Sequence, residues 1–457
     1  MNATSTVPVM VEGGGGQVVA HVGLHALGAF ADRLGLGEEL SAAVAAGGEQ
    51  RRLGHDRGKV LTQVMLMLAG GGECCADIEY LRSQPGLFGP VPSDSTLHRT
   101  ICAIDEATLG YLGEAMRDVR AQVWRRSSAT SGTAAVVLDI DASLVEIHSE
   151  KKEGTAATYK GGYGFHPMFC FADATGEALA GLLRPGNAGA NSIEDHLAVL
   201  DAAIAQLPAE VAAGHRDGDD AAGVGRPLRV RADSAGCSTR FASACRSRNI
   251  GFSVVARSNR AIHAAISVVA DDDSAWAVAA DQAGGDRGRS GVVEVTDLVD
   301  LSAWPTGTRL VVRREPLHPG AQTSLFPSLE YRYWGHYSDA GGSAVERDVD
   351  MRAHAHVEDH IRRLKGSGLE RFPFTVLGAN RAWMAVVCFA ADVVRWFQLL
   401  CLTDSLALAE PKALRWSLWH TPARIVRRAR QVVVRILDSW PAARELLDAY
   451  GRIDLIT

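Results

Sequence analysis

The chain has 457 residues, more than one hydrophobic core usually serves, so at least two structural units are expected. Its 47 % apolar and 22 % charged residues exclude a mostly disordered or fibrous protein. With 47 Lys+Arg against 53 Asp+Glu, the net charge of −6 excludes a global basic field, so a nucleic-acid partner would have to be held by local patches.

The N-terminus lacks the basic start and apolar stretch of a signal peptide. Gly13–Gly16 has no strand-then-helix context for a phosphate loop and reads as a flexible start. Residues 17 to about 127 carry periodic Ala/Leu stretches, such as Val60–Met67 and Ala107–Val123, and read as helices. Ser93-Asp94-Ser95-Thr96 offers N-caps for a helix bearing His98 and Arg99. After the small polar linker Ser127–Gly132, Ala134–Ile140, Phe165–Ala172, Arg229–Ala232 and Gly251–Val255 read as strands, with helices at Ile193–Gln206 and Thr239–Arg248 between them. That alternation indicates an α/β unit around a central sheet.

From 261 to 345, strands at Val292–Val295, Arg309–Arg313 and Glu330–Tyr337 lie between Gly/Pro-rich turns, in a stretch with 11 acidic and 6 basic residues. This is expected to be a β-rich insertion. Helices resume near Asp348, and residues 346–457 carry 17 Lys+Arg against 13 Asp+Glu. The apolar run Phe374–Leu402 is broken by Asn380, Arg381, Asp392 and Arg395, which argues against a membrane span. Eight Cys, none in a CxxC pair, read as small buried hydrophobes rather than a disulfide or zinc framework. The expected divisions are 1–130, 131–260, 261–345, 346–410 and a basic helical tail at 411–457. A soluble cytoplasmic protein without a membrane partner is expected.

Three acids stand out by position. In Val137-Leu138-Asp139-Ile140-Asp141 the two-residue strand period puts both Asp on one face, where a buried carboxylate needs a partner or a metal. Asp233 ends the strand Leu228–Ala232. Glu358 lies in the helical segment Met351–Lys365, flanking the apolar stripe Val357, Ile361, Leu364. Carboxylates from two strands and a packed helix suit two hard divalent cations about 4 Å apart, the arrangement of in-line phosphoryl transfer. Taken singly, each acid is more often a cap, a turn residue or an ion-pair partner. His354, His356 and His360 resemble a metal motif, but His356 and His360 fall on the far side of the helix from Glu358; zinc there needs a third ligand elsewhere.

Cations surround these positions. Arg362 and Lys365 follow Glu358 by one and two turns and could grip phosphates. Lys151, Lys152 and Lys160 sit in a Gly-rich hairpin after the first strand, as a solvated turn or a phosphate contact. Pro411–Leu437 holds seven cations and no acid, among them Arg424, Arg427, Arg428 and Arg430. A solvated helix face would mix signs, so this run favours nucleic-acid contact.

Together these segments resemble a known pattern. Leu138-Asp139-Ile140-Asp141-Ala142-Ser143 resembles the first-strand motif of DDE transposases, an aspartate followed two residues on by Ser or Thr. Gly162–Pro167 and Leu183-Arg184-Pro185-Gly186-Asn187 resemble the following hairpin and strand end, and Arg231-Ala232-Asp233-Ser234 the second-aspartate motif. Arg352, Val357-Glu358 and Ile361–Gly366 resemble the glutamate helix with its trailing basic residues. The order looks most like the insertion-sequence 1380 group, related in layout to piggyBac elements.

The resemblance implies an α/β fold in which an RNase H-like catalytic domain, interrupted by the β-rich insertion, follows an N-terminal helical DNA-binding or dimerisation domain and precedes a C-terminal helical extension. It implies that Asp141, Asp233 and Glu358 hold two Mg²⁺ ions, with Mn²⁺ able to substitute and Asp139 the alternative first ligand. Lys151, Lys152, Lys160, Arg184, Arg362, Lys365, Arg424, Arg427, Arg428 and Arg430 are then the candidate DNA contacts. The implied function is binding of terminal inverted repeats, end cleavage and strand transfer by a homodimer on double-stranded DNA at the bacterial nucleoid. The alternatives are a transposase-derived DNA-binding protein, a metal-dependent nuclease without strand transfer, and a zinc hydrolase.

Overall fold

A computed structural model describes residues 18–48, 54–132, 134–189, 191–317, 330–428 and 431–456. Gly13–Gly16 and Arg430 lie outside the described residues. The chain opens with helices α1 (Val22–Arg33), α2 (Leu36–Ala46), α3 (Arg57–Ala69), α4 (Asp94–Cys102) and α5 (Glu106–Arg126). Their starts follow from capping side chains: Asp56 accepts from the Lys59 amide, Ser93 from Thr96 and Asp105 from Thr108.

The α/β unit follows. Strands β1 (Val136–Ala142), β2 (Met168–Ala172) and β3 (Glu177–Leu182) form an antiparallel meander. After helix α6 (Ile193–Ala205), strand β4 (Leu228–Ala232) pairs parallel to the free edge of β1. After helix α7 (Thr239–Arg246), strand β5 (Ile250–Val255) pairs parallel to β4. The spatial order of these five strands is therefore 3-2-1-4-5.

Helix α8 (Arg260–Val269) leads into β6 (Ala277–Ala280), β7 (Asp286–Glu294), β8 (Arg309–Pro316) and β9 (Tyr331–Ser338). The stretch expected as a β-rich insertion continues the same sheet, because β9 pairs antiparallel with β5. The result is one mixed nine-stranded sheet in the order β6-β7-β8-β9-β5-β4-β1-β2-β3.

The strand period sorts the faces of this sheet. Leu138, Ile140, Cys170, Val230 and Phe252 share a core with α6, α7 and α8. Phe169 and Phe171, directly opposite Asp141 and Asp139, face the other core. There helices α9 (Ala344–Arg352), α10 (His356–Leu364) and α11 (Leu377–Cys401) cover the sheet. The expected continuous helix through Met351–Lys365 is interrupted by a 3₁₀ turn at Ala353–Ala355, while Val357, Ile361 and Leu364 are buried as the wheel requires.

Helix α11 has the length and apolarity to cross a membrane, yet it is the central helix of this core, packed on α3, α5 and β3. Its polar residues are bonded inside the protein. Asp392, fully buried, accepts from Arg120 Nη2 at 2.6 Å and from the Ala178 amide at 2.7 Å.

The C-terminal segment corrects an expectation. Residues 411–457 are not a helical tail: β10 (Ala423–Arg428) and β11 (Gln431–Ile436) form an antiparallel hairpin before helix α12 (Ala443–Asp454). Ile425, Val426, Val432, Val433, Val434 and Ile436 are β-branched, and their packing on a pleated surface outweighs the helical reading of a basic run. A short strand, Val18–Val19, pairs with the base of β10.

Candidate active site

Two strands in register build the site. In the parallel β1–β4 ladder Asp139 lies opposite Arg231 and Ile140 opposite Ala232, so Asp141 and Asp233 leave adjacent strands at the same level. Neighbouring strands run about 5 Å apart. Helix α10 packs against β1 and brings Glu358 in its first turn, where the positive helix end favours a carboxylate.

Each acid is held differently. Asp141 is part-buried and its Oδ1 accepts from the Ala142 amide at 2.7 Å. Its pKa is pushed up to about 6, chiefly by burial, with the charges of Asp233 and Glu358 adding to the rise against the opposing effects of the amide and His354. Asp233 closes a turn, its Oδ1 accepting from the Ala235 amide at 2.8 Å. Arg257 pins that turn from outside by donating to the Ser234 and Ala235 carbonyls at 2.6 and 3.1 Å. Gly236 permits the close return of the chain, since a Cβ there would lie 2.7 Å from the Ala232 Cβ. Glu358 is exposed and has no hydrogen-bond or ion-pair partner among the described residues.

Asp139 is fully buried and enclosed. Arg231 donates to it through Nε at 2.8 Å and Nη2 at 2.6 Å, and His354 Nδ1 lies 2.7 Å from its Oδ1. Burial alone would raise its pKa; the hydrogen bonds from His354 and Arg231 outweigh burial and hold it below the usual carboxylate range. Arg231 also pairs with Asp173 at 2.9 Å. This frame is not among the sequence expectations. Its signal was present as two motifs with the same spacing, Asp139-x-Asp141 and Arg231-x-Asp233, each placing a charge on the same strand face two residues before a site acid.

The histidines go to separate partners. His354 faces Asp139, and His356 Nδ1 lies 2.9 Å from Asp173. His360 packs on Phe171 and is pushed down to about 4 by burial and then by Arg395. No three His, Cys, Asp or Glu side chains among the described residues form a cradle for one metal ion.

The expected DNA-contact cations divide into two groups. Arg184 is 3 % exposed and serves inside the fold, donating to the His166 and Gly189 carbonyls and to Asp195; that burial corrects its expected place at a DNA surface. Lys152 donates to the Phe372 carbonyl, and Lys365 to the Leu144 carbonyl at 3.1 Å. Arg362 is held by Asp359 and Glu410, each at 2.6 Å. Lys151 and Lys160 are exposed, Lys160 lying 5.8 Å over the ring of Tyr159, itself 77 % exposed. Arg424, Arg427 and Arg428 are exposed and have no ion-pair partner among the described residues.

Comparison with known proteins gives one full-length match: the family model described as transposase DDE domain group 1 covers residues 1–457. No curated protein matches the chain. Among solved structures, a cryo-EM structure of a piggyBac transposase synaptic complex with hairpin DNA is similar at a TM-score of 0.45 and 11 % identity, over 87 % of this chain and 80 % of that chain.

Proposed function

The chain belongs to the transposase DDE domain group 1 family, and on that premise we propose that it is a DNA transposase that binds the terminal inverted repeats of an insertion sequence, cleaves the element ends and joins them to target DNA. Asp141, Asp233 and Glu358 are its catalytic acids. The observation that carries this reading is the parallel register that brings Asp141 and Asp233 off adjacent strands at one level, beside the helix that bears Glu358, with the charges of both further acids acting on Asp141. Like charges gathered in this way are unfavourable until a cation joins them.

The donor chemistry fits hard divalent ions, because all three groups are carboxylates, His354 and His356 are bonded to Asp139 and Asp173, and His360 packs on Phe171. Asp141, Asp233 and Glu358 would hold two Mg²⁺ ions, for which Mn²⁺ would substitute. Asp139 is the frame rather than a ligand, since Arg231 and His354 occupy its oxygens. Bound there, the ions would supply activation of water or a 3′-hydroxyl and stabilisation of the leaving 3′-oxygen. Protein groups supply the rest. The Asp233 turn, pinned by Arg257, fixes one carboxylate; the α10 stripe orients Glu358; Lys151 and Lys160 contact the DNA backbone beside the site.

The catalytic unit in this reading is RNase H-like, supported by the 3-2-1-4-5 order with acids at the ends of its first and fourth strands. A homodimer would bring two element ends together. Asp233→Asn is expected to abolish Mg²⁺-dependent end cleavage while leaving end binding within about twofold. Full cleavage by that variant would remove the catalytic assignment. Joining of a pre-cleaved 3′-OH end to plasmid DNA separates a transposase from a nuclease without strand transfer.

A further inference from the structure

The hairpin β10–β11 has two unlike faces. Ala423, Ile425, Val434 and Ile436 point inward onto the main core, with Ile425 against Gly86. The alternate residues therefore point outward: Arg424, Val426 and Arg428 on β10, opposite Arg435, Val433 and Gln431 on β11. The three arginines and Gln431 are exposed, and none of the arginines has an ion-pair partner among the described residues. Arg424 and Arg435 form a directly opposed cross-strand pair, an arrangement of like charges that destabilises a ribbon on its own. An external anion relieves it.

We propose that this outer face enters the major groove of double-stranded DNA as a two-stranded β-ribbon and reads base edges there. Six residues per strand span about 20 Å, and a groove about 12 Å wide admits such a ribbon. The face carries the chemistry of base readout: arginines for the O6 and N7 of guanine, Gln431 for adenine, and Val426 and Val433 for thymine methyl groups. Arg427, on the inward side at the exposed end of the hairpin, is placed for the phosphate rim. The inference rests on the reading of the chain as a DNA-binding transposase and assigns a recognition surface far in sequence from the N-terminal helices.

The test uses the full-length protein and a library of random-sequence duplexes, bound in Ca²⁺ without Mg²⁺ so that cleavage plays no part. Failure of the catalytic assignment would appear in cleavage by Asp233→Asn and would not disturb these measurements. The wild type is expected to enrich one sequence. The triple variant Arg424→Gln/Arg428→Gln/Arg435→Gln should lose that preference and lower the salt slope of binding by about 2–3. The triple variant with Lys at the same positions keeps the charges but not the fork. It should retain the slope within about 1 and lose about tenfold or more of the preference. Replacing guanine by 7-deazaguanine in the enriched duplex should weaken the wild type and leave the Lys variant unchanged. Full preference in the Lys variant, an unchanged slope in the Gln variant, or no sequence enriched by the wild type would each overturn the proposal.

Discussion

Asp139 and Asp141 share one face of one strand two residues apart, and their surroundings act on them in opposite directions. Two donated hydrogen bonds from Arg231 and one contact with His354 favour the charged form of Asp139. Burial, Asp233 and Glu358 disfavour the charged form of Asp141. The sign of the stability effect follows. An unfolded aspartate titrates near about 3.9, below the folded value for Asp141 of about 6, so between these values the native state binds more protons than the unfolded one. The penalty from Asp141 is absent below about pH 4 and fully developed once pH has risen through about 6. Asp141→Asn should therefore stabilise the metal-free protein at pH 7, by up to about 3 kcal/mol. Asp139→Asn should destabilise it by about 3–5 kcal/mol, because a buried guanidinium loses its main partner. Urea unfolding in a chelator at pH 4.5 and pH 7 measures both. The Asp141 gain should shrink to about 1 kcal/mol at the lower pH, and equal signs for the two variants would contradict the proposed distinction between site acid and frame.

In the proposed reading, helix α10 separates stability from chemistry along a single turn. Ile361 is 6 % exposed and belongs to the buried stripe, whereas Glu358 is exposed and unpartnered among the described residues. Glu358→Gln should leave the unfolding free energy within about 0.5 kcal/mol and abolish Mg²⁺-dependent cleavage. Ile361→Ala should cost about 2–4 kcal/mol through the cavity it opens, with cleavage surviving at temperatures where the fold persists. Chemical denaturation and a cleavage assay on both variants check the pair. This helix was legible in the sequence because its apolar period is strong. Strand β3 was not, since Glu-Ala-Leu-Ala-Gly-Leu has helical propensity and becomes a strand only through pairing with β2 and packing against α11. The hairpin β10–β11 was missed for another reason: its charge run drew attention to the partner, while the β-branched alternation beneath it carried the conformation.

Continuity of the nine-stranded sheet belongs to the whole molecule and no local pattern announces it. The junction joins Ser253 to Ser338, residues 85 apart in sequence, by ladder pairing and a 2.9 Å hydroxyl contact. The same scale governs the union of the N-terminal helices with the sheet. Arg120 on α5 donates to Glu177 on β3 at 2.8 Å and to Asp392 on α11 at 2.6 Å, while the Trp124 and Trp396 indoles donate to Glu177 at 2.7 and 2.6 Å. All three charged groups are at most 1 % exposed, so the cluster buries two carboxylates against one guanidinium. Burial pushes Asp392 up to about 7, against the pull of Arg120. Removing the cation by Arg120→Met leaves both carboxylates without their counter-charge and should cost about 3–5 kcal/mol at pH 8. Acidification lets Asp392 take up a proton, which it does more readily folded than unfolded, so the cost should shrink as pH falls toward 5. Unfolding of the variant and the wild type at the two pH values measures the difference directly. A cost that stays constant with pH would mean that Arg120 contributes through packing alone and that its charge is not what binds the helical half to the sheet.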